Sequence, residues 1–167
     1  MDDLSLASNP FIVLSYVTGP AFLTNATALF LGSTSSRFGR AIDRSRVLAA
    51  LLTTSGSLRA AESTGRELRV VQKRVGLIAK AMSRLYLAAA MFSLATLLSI
   101  SGAVVAEFSA LGAVLDAVVV GAGVVGLVGF AAFVNAALLL VWESRLAVQS
   151  LEVEAAEAVA AMPKDLD

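Results

Sequence analysis

Polar and apolar positions divide the chain into long uncharged runs around a charged block. The run 10–32 (PFIVLSYVTGPAFLTNATALFLG) holds 23 residues without a charge, enough for a helix to cross about 30 Å of hydrocarbon. The block 33–84 is polar and basic, and its second part runs from Arg66 without a Pro into a new apolar run at Leu85. From Leu85 to Val141 the only charges are Glu107 and Asp116. That stretch is too long for one crossing and is expected to cross twice, with a turn between. The predicted order is an outer N-terminus (1–9), a first transmembrane helix (10–32), a cytoplasmic basic helical hairpin (33–84) and a second transmembrane helix (85–105). An outer loop (106–116), a third transmembrane helix (117–142) and a cytoplasmic acidic tail helix (143–167) complete it. The expected fold class is all-α, an integral membrane protein with three transmembrane helices.

Finer spacing adds detail to each segment. Gly19-Pro20 inside the first span predicts a kink, because Pro lacks a backbone donor and its ring crowds the preceding turn. Thr18, Ala21, Asn25, Ala28 and Gly32 recur at steps of three and four and form a small or polar stripe, the kind through which helices meet in lipid. The cluster 53–57 (TTSGS) predicts the turn of the basic hairpin. After it, Leu68, Val71, Val75, Ile78, Met82 and Leu85 form a seam with coiled-coil spacing, and Phe38, Ile42, Ala49 and Leu52 offer a matching face. Ala122, Gly126, Gly129, Phe133 and Ala136 make a packing stripe on the third span, while Ser93 and Thr96 share a face of the second with Tyr86.

Charge fixes the expected orientation. Lys and Arg balance Asp and Glu at thirteen each, yet eleven of the thirteen basic residues lie in 33–84. The segments expected on the other side carry Asp2, Asp3, Glu107 and Asp116 and no basic residue. By the positive-inside rule the hairpin and the C-terminus are cytoplasmic and the N-terminus is outside, in a bacterial inner membrane. A cleaved signal peptide at Ala26-Thr27-Ala28 would need a positive leader, and Asp2 and Asp3 stand there instead. Composition agrees with a membrane class: 57% hydrophobic, 16% charged, mean hydropathy +0.81.

The same composition narrows the chemistry. The chain has no Cys and no His, which removes disulfides, thiolate chemistry, haem and most zinc sites, so no cofactor or metal is expected. An enzyme is not expected either, since a serine or aspartyl mechanism in the membrane needs a base or a carboxylate pair that the spans lack. The polar residues of the spans, Thr24, Asn25, Thr27, Thr96, Ser99 and Asn135, are candidates for helix packing or for a polar path. Asn25-Ala26-Thr27 also has the form of a glycosylation sequon, inaccessible inside a span. Arg37, Arg40, Arg44 and Arg46, just past the first span, are candidates for contact with anionic lipid. No nucleic-acid-reading motif accompanies the basic residues. The expected partners are membrane lipids and further copies of the chain or other membrane subunits. The expected role is a structural or scaffolding subunit, with a ring-forming channel or stator-type subunit as the alternative.

The pattern LTNATALFLGSTSSRFGRAIDRSR (Leu23 to Arg46), followed by a basic helix, two spans and WESRL (Trp142 to Leu146), resembles a widespread bacterial family of small membrane proteins known only as a domain of unknown function. The likeness rests on Thr24-Asn25-Ala26 and on the run Arg37, Arg40, Asp43, Arg44. It implies a three-helix membrane fold and brings no reaction with it. In order of spans alone, the chain is also similar to the ring-forming TolQ, ExbB and MotA stator group, although its cytoplasmic insertion is shorter and shares no motif with theirs.

Overall fold

A computed structural model of the protein describes residues 10–54, 57–105 and 112–160, with side chains at all of these except 10–17, 59–60, 154 and 157–160. The expected outer N-terminus, the outer turn at Glu107 and the end of the tail from residue 161 lie outside the described residues. So do two residues of the expected hairpin turn, 55–56. The described residues form three α-helices and no strand: α1 (Pro10–Thr54), α2 (Leu58–Val105) and α3 (Gly112–Ala160).

The composition shifts at 32/33, 84/85 and 142/143 do not interrupt the helices. Ser and Thr after Gly32 each cost well under about 1 kcal/mol in a helix interior, too little to break α1 against packing on either side. Pro20 lies inside α1, which continues across it. α3 opens at Gly112 and so takes in residues that the sequence assigned to the outer loop.

Among the described residues, α2 over Ala61–Val105 and α3 over Gly112–Val153 are long and apolar enough to cross a membrane. Their most apolar stretches are only 22% and 17% buried. The core helix of a water-soluble protein would be mostly covered, whereas these helices turn Leu97, Val120 and Leu127 outward. The opening of the first apolar run, 10–17, has its side chains outside the described residues.

The chain divides into two compact units, each containing a segment of every helix. The apolar unit comprises the described residues of Met1–Ser33 and Met82–Ala136. Its inward positions step by three and four: Leu85, Ala88, Phe92 and Ala95 on α2 are fully buried or nearly so, and Gly129, Ala132 and Ala136 on α3 follow the same rhythm. This is the 3.5-residue repeat of coiled-coil packing. Leu23 and Phe133 close around Phe92, and Phe30 meets Phe133 edge to face with centroids 5.2 Å apart. The approach is closest at Gly129, where an added Cβ would stand 3.0 Å from Met91 Cβ and from the Phe92 ring. A small residue is required there.

On α1 of this unit Thr27 is buried and Pro20, Leu23, Thr24, Ala26 and Leu31 are half-buried, while the expected stripe Thr18, Ala21, Asn25, Ala28 and Gly32 is exposed throughout. In a segment apolar on nearly every side, spacing identifies a stripe without saying which way it faces.

The charged unit comprises the described residues of Thr34–Ala81 and Ala137–Asp167. The repeat runs through Thr34, Phe38, Ala41, Ser45, Leu48 and Leu52 on α1, and through Val71, Arg74, Ile78 and Ala81 on α2. On α3 it passes Leu139, Glu143, Leu146 and Ser150. Two expectations shift by one residue: Leu48, at 2% exposure, takes the place given to the exposed Ala49, and Ala81 is buried more deeply than Met82. The short side chain of alanine lets the neighbouring helix close over it. Arg74 and Glu143 are the charged members of this repeat, whose other positions hold apolar residues and the hydroxyls of Thr34, Ser45 and Ser150.

Candidate functional site

Among the acids and bases whose side chains are described, the one that is buried lies in the charged unit. Glu143 is 3% exposed, on the inward face of α3 one heptad after Ala136. A carboxylate taken out of water needs charge and hydrogen bonds around it. Glu143 obtains them from Arg74, whose Nε donates to Oε1 at 2.9 Å and whose Nη2 forms an ion pair with the same oxygen at 2.8 Å. Arg37 Nη1 lies 3.8 Å from the other carboxylate oxygen and donates at 3.5 Å to the Ser144 hydroxyl. Two helices thus direct guanidinium groups at one acid on the third.

Around this pair the unit opens two clefts. The first, of about 460 Å³, is lined by Arg37, Arg40, Arg44 and Arg74 together with Glu143 and Ser144. The second, of about 620 Å³, shares Arg44 and Arg74 with the first and adds Arg66 and Glu67. Arg44 is paired with Glu67, donating through Nε at 3.0 Å and through Nη2 to the same oxygen. Five guanidinium groups therefore face two carboxylates across the two clefts. That excess gives the surface the chemistry of an anion-binding site.

Of the four arginines expected at a lipid surface, Arg37, Arg40 and Arg44 come together at the first cleft. Arg46 lines neither cleft; it is exposed and lies 3.9 Å from Asp43 on its own helix. Arg74 and Glu143 complete the cleft, and neither stood among the candidates read from the sequence. Arg74 was one cation in a basic run and Glu143 one acid of a tail. Their signal was positional: Arg74 lies between Val71 and Ile78 on the seam, and Glu143 continues the step from Gly129 through Ala136.

The polar candidates of the spans are not brought to a common path. Thr24 and Thr27 donate to the Pro20 and Leu23 carbonyls at 2.9 and 2.7 Å, and Thr96 and Ser99 donate to Phe92 and Ala95 at 2.9 Å each. Each hydroxyl is thus satisfied by the turn before it. Asn25 and Asn135 are exposed. No group of side chains suited to holding a metal ion is found among the described residues.

Compared with known proteins, residues 17–153 match the family described as Protein of unknown function (DUF2721). The resemblance read from Leu23–Arg46 and from Trp142–Leu146 is borne out at that level. No curated protein and no solved structure matches the chain, so the likeness to the stator group gains no support.

Proposed function

The chain belongs to the DUF2721 family of proteins of unknown function, and from its residues we propose that it is a three-span inner-membrane subunit that associates with further copies of itself. The N-terminus is outside, and the basic segment of 33–84 and the C-terminus are cytoplasmic, as the one-sided Lys and Arg distribution directs. The observation that carries self-association is the exposure of Asn25 on α1 beside Ala21 and Ala28. An amide facing hydrocarbon loses its water hydrogen bonds, and small neighbours let a second helix come close enough to replace them. Asn135, likewise exposed on α3, has the same need.

The native absence of Cys makes the test direct. Asn25→Cys is expected to give a covalent dimer in oxidised membranes, while Leu127→Cys, at an exposed apolar position of α3, gives only background. Asn25→Leu should weaken association by about tenfold, the worth of one interhelical hydrogen bond in lipid. Equal crosslinking at both positions, or a single-chain mass in nanodiscs, would reject the reading. Crosslinking of Asn25→Cys only to a different protein would make the occupant of this face another subunit. For the ring-channel alternative Asn25 and Asn135 are the polar groups left to line a path, and ion flux above that of empty liposomes is its test.

A further inference from the structure

The first cleft of the charged unit contains cations that the fold itself leaves incompletely answered. We propose that the cleft bounded by Arg37, Arg40, Arg44 and Arg74 binds a phosphate group, either in the headgroup of an anionic lipid or as a free anion.

Four guanidinium groups line this cleft and one carboxylate does. Glu143 is engaged by Arg74 through one hydrogen bond and an ion pair to the same oxygen, and Arg44 is engaged by Glu67. Arg37 stands 3.8 Å from Glu143, which leaves most of its donors uncommitted. Arg40 has no ion pair or side-chain hydrogen bond with any described residue. Like charges gathered at one cleft repel one another. An anion relieves that repulsion. The planar guanidinium fork matches two phosphate oxygens at once, and groups converging from α1 and α2 can hold a tetrahedral anion from more than one side. The Ser144 hydroxyl, also in the lining, can hydrogen-bond to a further oxygen.

The chain position of the cleft favours a headgroup. Arg37 follows the uncharged run 10–32 by five residues, and Glu143 follows Trp142, an aromatic suited to the membrane interface. Only this choice of source rests on the topology proposed above; the phosphate chemistry stands on the charged unit alone.

The test uses the full chain in nanodiscs of phosphatidylcholine, with phosphatidylglycerol added in one arm and inorganic phosphate in another. Native mass spectrometry reads the anion retained per chain, and the number of chains separately, so failure of this proposal and failure of self-association are told apart. Wild type is expected to retain phosphatidylglycerol. Arg40→Gln should bind it about tenfold more weakly, the effect of losing one charge-assisted hydrogen bond. Arg40→Lys should fall between the two, because it keeps the charge and loses the fork. Arg46→Gln, outside the cleft, should match wild type. Retention of inorganic phosphate instead, with the same order of variants, would support the cleft and make the ligand a free anion. Equal weakening by Arg40→Gln and Arg46→Gln, or retention of neither ligand by wild type, would overturn the proposal. Arg40 is exposed and forms no ion pair with a described residue, and the unfolding transition of each variant checks that it folds.

Discussion

Glu143→Ala is expected to destabilise the protein by about 3 kcal/mol, toward the low end of what breaking a buried ion pair costs. The substitution leaves Arg74 facing the interior without a counter-charge, and Arg37 loses the same neighbour. The low end applies because the Arg74 side chain is 30% exposed and keeps some water. Denaturant titration in mild detergent, followed by circular dichroism, measures the loss. The pair as a whole is a different matter, since two desolvated charges are expensive and apolar replacements of similar size are often neutral. Arg74→Met combined with Glu143→Leu should therefore recover most of the stability lost by Glu143→Ala. A single variant costing less than about 1 kcal/mol, the level of an exposed pair, would mean that Glu143 is not desolvated.

The second large effect is expected at Phe92. Phe92→Ala should cost about 3 to 4 kcal/mol, because the ring is fully buried among Ala88, Ala132, Leu23 and Phe133, and short neighbours cannot collapse into the space it leaves. In a bilayer the loss is mainly one of close contact, since lipid tails are as apolar as the core. Gly129 supplies an internal check. A methyl there would press on the Phe92 ring and on Met91 Cβ, so Gly129→Ala should destabilise the wild type and cost less in the Phe92→Ala background. Purely additive effects of the two changes would show that the ring and the glycine do not share that space.

Much of this architecture could be read from the residues, and the parts that could not have physical reasons. The helices and the apolar character of α2 and α3 followed from runs too long and too free of charge for another reading. The α2 seam was legible at Val71, Ile78 and Leu85 because the exposed Lys73 and Lys80 mark the opposite face. No such contrast exists in 10–32, where nearly every position is apolar or small. The stripe through Asn25 was visible there, but its outward direction was not, and the buried role of Thr27 was hidden among hydrophobes. In the site, Arg37, Arg40 and Arg44 were legible as a local run on one helix. Arg74 and Glu143 lie far apart in sequence and meet only through packing, and an acid just past an aromatic looks like the start of a solvated tail. Arg46 looked equivalent to its neighbours and is not, since a few residues along a helix suffice to carry a side chain off the cleft.

The buried pair also limits how α2 and α3 of the charged unit can be aligned. Apolar seams built on a seven-residue repeat tolerate sliding by one repeat, because one alanine or leucine substitutes for the next. Here a slide in one direction would bring Glu143 beside Glu67, acid against acid, and in the other beside Ala81, which offers it no donor. Either misalignment would strand a carboxylate away from water. Arg74 thus marks the single place on α2 where α3 can come to rest.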